Sequence, residues 1–152
     1  MFKYTMVTLV FIICISFYYI QRNSDTEKFS CESVSEVSHA GLKIHMRYNI
    51  SIGNGSGNIR MNGSFDDKGY KTPISRQIAF SYKTINSEYS LKSEHILIFS
   101  NDQGTSNQFN MHFPDFFYKE NKFVNFKILD DKYKNKIFII DDVPILYCDI
   151  HR

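Results

Sequence analysis

The chain has 152 residues, 43% hydrophobic and 22% charged. That excludes a disordered acidic tail or a low-complexity segment, and leaves room for one modest domain. Eighteen Lys and Arg against sixteen Asp and Glu give a net charge of +2, which argues against the basic face of a dedicated nucleic-acid binder.

Residues 1–3 precede an uncharged stretch, 4–20 (YTMVTLVFIICISFYYI). At ~1.5 Å per residue this spans roughly 26 Å, enough for a thin hydrocarbon core. Tyr18 and Tyr19 place amphipathic rings at one end. The rival reading is a cleaved signal peptide, whose apolar core of ~7–15 residues ends at a small-x-small site. The only small pair here is Cys14 and Ser16, and the expected form is an uncleaved transmembrane anchor. Charge orients it poorly, with Lys3 before the span and Arg22 and Lys28 after it.

Cysteine usage orients it better. Cys14 lies in the apolar stretch, which leaves Cys31 and Cys148 near the two ends of the rest. One reading joins them in a disulfide, worth roughly 4–5 kcal/mol for so long a loop and persistent only in an oxidising compartment. The other leaves two unrelated buried thiols. The first is the expectation, and it puts the folded part outside the cytoplasm.

Residues 21–28 read as a polar linker and 29–152 as a β domain. The clearest strand is 42–52, where Leu42, Ile44, Met46, Tyr48, Ile50 and Ile52 alternate with Lys43, His45, Arg47, Asn49 and Ser51. Period two marks a half-buried strand. Gly-Asn-Gly-Ser-Gly at 53–57 breaks it. Alternation resumes at Ile59, Met61, Gly63 and Phe65, and residues 66–69 turn the chain. Ile74, Arg76, Ile78, Phe80 and Tyr82 predict the next strand, 89–99 another, and residues 101–104 its turn. Phe109, Met111 and Phe113 predict a further strand up to Pro114, with a short helix as an option between Pro114 and Asn121. Val124, Phe126 and Ile128, then 137–140 and 145–150 around a turn at 141–144, complete eight or nine strands with the segment at Cys31.

Many strands at hairpin spacing predict an all-β antiparallel meander, closing into a small barrel or folding into a sandwich. A disulfide joining the first and last strands favours the barrel. Its interior would be rich in the domain's eleven Phe and seven Tyr, filled by them or holding one small apolar ligand.

Few motifs carry chemistry. The glycine run 53–57 lacks the Lys-Ser/Thr and the helix of a phosphate loop, so it reads as a turn. His39 and His45 are expected on one strand face, without companions at metal-ligand spacing. The pairs Asp66-Asp67, Asp130-Asp131 and Asp141-Asp142 fall in turns. No catalytic carboxylate pair and no nucleophile motif is evident, so neither an enzyme nor a cofactor is expected. Arg76 stands out on an apolar strand face, where it must pair, snorkel to a rim, or meet an anionic group. Arg76, with Met46, Tyr48, Phe80, Tyr82, Phe109 and Met111, is the candidate ligand-binding set: one cation to neutralise an acid, and aromatic walls for hydrocarbon.

The anchor at 4–20, Cys31, the segment from Asn62 to Phe65, the strand from Ile74 to Tyr82 and the closing run from Val143 to Cys148 resemble the FidL-like membrane proteins of enteric bacteria. The resemblance covers the whole chain as a layout. It implies a single-pass inner-membrane protein with its C-terminal domain in the periplasm. It also implies likeness to ToxS-type accessory partners, which pair with the periplasmic domain of a ToxR-type membrane-anchored transcription regulator, some through a lipocalin-like barrel that binds a bile salt. The expected function is therefore a non-enzymatic accessory or sensor protein that stabilises such a regulator, without contacting nucleic acid itself. The alternative is a stand-alone periplasmic binding or inhibitor module acting on an exported protein.

Overall fold

The structure, a computed structural model, describes residues 11–12, 15–16, 28–39 and 41–150. Most of the expected anchor and linker lies outside the described residues. Among those described, no helix is long and apolar enough to cross a membrane.

Among the described residues eight strands follow one another: β1 (Phe29–His39), β2 (Leu42–Gly53), β3 (Ser56–Asp67), β4 (Tyr70–Ile85), β5 (Glu88–Ile98), β6 (Phe123–Asp130), β7 (Lys136–Ile140) and β8 (Val143–Cys148). Each is antiparallel to the next in a single sheet of order β1 to β8. One isolated bridge, Glu32 to Asp149, ties β1 to the residue after β8. The meander thus curls into a nearly closed barrel.

Local chemistry sets the corners. Asn54-Gly55, Lys68-Gly69, Asn86-Ser87 and Asp141-Asp142 all have positive φ, the left-handed turns whose twist matches that of paired strands. The Asp66 carboxylate accepts the Gly69 N–H at 2.9 Å and caps its turn. The last turn is only Asp141-Asp142. β8 therefore starts at Val143, ahead of the expected 145, and carries Pro144 inside it.

β2 runs as its alternation predicts. Ile44, Met46, Tyr48, Ile50 and Ile52 are buried and Leu42 is half-buried, while Lys43, His45, Arg47, Asn49 and Ser51 are exposed. Ile50→Asp is expected to destabilise the domain by about 4 kcal/mol or more, because it buries an unpaired carboxylate. Ser51→Asp should stay within about 0.5 kcal/mol. Thermal unfolding of both variants checks this, and equal losses would mean that the inward face is misassigned.

The stretch 109–113 corrects the sequence reading. It is part of a helix, α1 (Ser106–His112). The Thr105 hydroxyl accepts the Gln108 N–H at 3.3 Å, and the Gln108 side chain accepts the Thr105 N–H at 3.0 Å. This reciprocal cap satisfies two N–H groups that a helix start leaves open. Phe109 points inward and is fully buried, whereas Met111 points outward and is 69% exposed. A single 3-10 turn, Asp115–Phe117, follows Pro114 and buries Phe116 and Phe117.

Residues 99–122 thus plug the barrel instead of extending its wall. Phe109 meets Phe65 edge-on at 5.3 Å, and Phe116 lies 6.1 Å from Phe80. The plug also covers the part of β4 that β5 does not reach. Phe99 donates its N–H to the Ser75 carbonyl and Gln103 to the Pro73 carbonyl, at 3.0 and 2.9 Å.

Candidate functional site

Arg76 is not at a rim. Its Nε and Nη2 donate to the two carboxylate oxygens of Asp102 at 2.9 and 2.7 Å, with both side chains almost fully buried. The same carboxylate accepts the Ser75 and Gly104 N–H groups, each at 2.9 Å. The guanidinium lies 3.8 Å from the centre of the Phe109 ring. A Cβ at Gly104 would collide with the Ile74 side chain, so the loop approaches this closely because residue 104 is glycine. The pair pins the plug to β4. Its physical reason is plain: a cation on an inward face needs a buried counter-ion, and the plug supplies one.

The opening in the barrel lies along β1 and β8. Cys31 and Cys148 are disulfide-bonded, with Cα atoms 5.4 Å apart. Beside them, Glu32 and Asp149 exchange backbone hydrogen bonds of 2.9 and 2.7 Å. Main-chain groups alternate in direction along a strand, so those of Val34, Glu36 and Ser38 face the same way as those of Glu32. Among the described residues, no backbone bond joins them to β8. The two strands part above the disulfide.

A cleft of about 560 Å³ occupies the gap. Ser35 and Val37 of β1 form one wall and residues 143–146 of β8 the other; Ile44 and Tyr48 of β2 also line it, as do His112, Phe113 and Phe117 of the plug. Val37 belongs to the inward set of β1 yet is 50% exposed, because among the described residues no strand pairs with β1 beside it. Burial holds the Tyr48 phenol well above its ordinary pKa, so it stays neutral and protonated. The lining is mostly apolar, with Ser35, Tyr48, His112 and Asp141 as its polar groups.

The candidate ligand residues are distributed unequally. Tyr48 lines the cleft. Met46, Phe80, Tyr82 and Phe109 are buried in the packed core, and Met111 lies on the outer side of α1. His39 and His45 are separated by the β1–β2 turn and stand on neighbouring strands, not on one strand face. His45 faces Glu36 at 3.6 Å. Among the described residues no group of three His, Cys, Asp or Glu side chains is placed to hold a metal. Sequence reading missed Asp102, taken for a turn residue, and the cleft itself. The Thr105 and Gln108 pair at capping spacing was the available signal for α1.

Fold and cleft together define a small up-and-down β-barrel domain, plugged by its own aromatic segment and open, among the described residues, between β1 and β8 above the disulfide. The chain belongs to the YqeJ C-terminal domain family, whose model matches residues 26–148, a span that takes in all eight strands and both bonded cysteines. No curated protein and no solved structure matches it.

Proposed function

We propose that this chain is a non-enzymatic accessory or sensor protein. In this reading it is a lipocalin-like barrel held at the bacterial inner membrane by residues 4–20, with its domain in the periplasm. There it pairs with and stabilises a ToxR-type membrane-anchored regulator and takes an amphipathic ligand such as a bile salt.

The cleft between β1 and β8 carries the proposal. Its volume of about 560 Å³ falls among small-molecule sites, typically ~300–1,000 Å³, which are apolar with a few placed polar groups. Tyr48, neutral and protonated, offers a hydroxyl to a ligand hydroxyl or acid, and Ser35 and His112 provide further polar contacts. Arg76 plays no part in this version, since Asp102 engages it. The disulfide supports an oxidising compartment, and the FidL-like layout supports the accessory role.

The test is calorimetric titration of taurocholate into the full chain in lipid nanodiscs, alone and with the regulator's periplasmic domain. Heat and a rise of several degrees in the unfolding midpoint are expected in at least one sample. Val37→Trp, which places an indole in the cleft from an exposed position, should abolish both. No heat and no stabilisation in either sample would reject the ligand and leave only a regulator-stabilising role.

A further inference from the structure

We propose that the open edge of β1 is a site for strand addition. An extended segment of a protein partner, apolar at alternate positions with a Lys or Arg between them, pairs its main chain with Val34, Glu36 and Ser38 and walls off the cleft. This deepens the reading of the cleft as the binding site and names the chemistry of the partner.

The first argument is main-chain chemistry. Val34, Glu36 and Ser38 present N–H and C=O groups to the gap at a spacing of roughly 6.8 Å, two residues of extended chain. Among the described residues none of them has a backbone partner on β8. A small molecule cannot satisfy such a row, whereas an added strand does.

The second is the contrast between the two edges. Exposed edges are normally blunted by Lys, Pro or a bulge. β8 carries Pro144 and a register shift at Phe138/Ile139. β1 carries only a single charge of this kind, Glu36: its run Ser33 to Ser38 contains no Lys, Pro or Gly, and its register with β2 is unbroken. β1 is the receptive edge.

The third is side-chain complementarity. Val34 on the outer face is 70% exposed and Val37 on the inner face 50%, so an added strand buries apolar side chains on both faces. Glu36, in the middle of the edge and 63% exposed beside His45 at 3.6 Å, favours a Lys or Arg at the opposing position of the incoming segment. The same carboxylate disfavours a second copy of this chain, because antiparallel pairing of two β1 edges about Glu36 would set like charges opposite each other.

The experiment appends a probe to the full chain: a segment of alternating valine and threonine around one lysine, joined after Arg152 by a Gly/Ser linker of about 15 residues. Such a tether gives an effective concentration in the mM range. Residue-resolved amide exchange is the readout. In the unmodified chain, Val34, Glu36 and Ser38 should exchange fast while Ser33, Ser35 and Val37, bonded to β2, stay protected. The probe should slow the three fast amides at least tenfold, and a probe with proline at alternate positions should not. Glu36→Pro removes a donor facing the gap without touching the β2 ladder. It should leave the unfolding midpoint nearly unchanged and erase the slowing at Val34 and Ser38. No slowing, or slowing that survives the proline probe, overturns the proposal. Taurocholate titration of the unmodified chain reads the cleft separately: heat there without amide protection overturns strand addition alone, and protection without heat upholds strand addition while the ligand reading fails.

Discussion

Replacing both cysteines, Cys31→Ser with Cys148→Ser, is expected to remove roughly 4–5 kcal/mol of stability, the chain-entropy value for a loop of this length. For a domain of this size that lowers the unfolding midpoint on the order of 15 °C. The effect follows from position. The bond spans 117 residues and, with the Glu32 to Asp149 bridge, holds the ends of the meander together. Both cysteines are buried, so the double variant is a cleaner test than added reductant. Amide exchange should rise first in β1 and β8, while β2 to β5, joined by long ladders, keep their protection. A midpoint change under about 3 °C would mean that the seam does not depend on the bond.

The second large effect concerns the ion pair that pins the plug. Asp102→Ala strands the Arg76 guanidinium in the interior against Phe109 and is expected to cost about 3–5 kcal/mol. Arg76→Met should cost less, because Asp102 retains the Ser75 and Gly104 N–H donors. Combining the two leaves no buried charge, so the double variant should be clearly more stable than the sum of the single losses predicts. Denaturant unfolding of the four proteins measures the coupling. Simple additivity would contradict a direct pairing, and a loss below about 1 kcal/mol for Asp102→Ala would show that water reaches the site.

The wall of the barrel was readable because each strand has one wet face and one dry face. Leu42 to Ile52 show it most clearly, and the Asn-Gly at 54–55 marks the turn that follows. The plug was not readable by the same rule. Phe109, Met111 and Phe113 satisfy period two over a stretch too short to separate it from the helical spacing of Phe109 and Phe113, four apart. The cap from Thr105 to Gln108 resolves the ambiguity, since it satisfies N–H groups that a strand would not leave open. Arg76 announced that something unusual was needed on its face, but Asp102 is 26 positions away in a loop, and no local pattern links them. The cleft lies further beyond sequence: it exists where β1 and β8 fail to pair, and the alternation of each strand is the same whether they pair or not.

In the proposed function, the gap between β1 and β8 is where this protein binds its ligand. The most direct test is the residue-resolved chemical-shift map of the full chain in nanodiscs, titrated with taurocholate below its micelle concentration. Shifts concentrated at Val37, Tyr48, His112 and Ile145, with Phe126 and Ile59 on the far wall unmoved, are the result expected. Shifts spread over the outer surface, or centred on β4 to β6 with the seam silent, would contradict it.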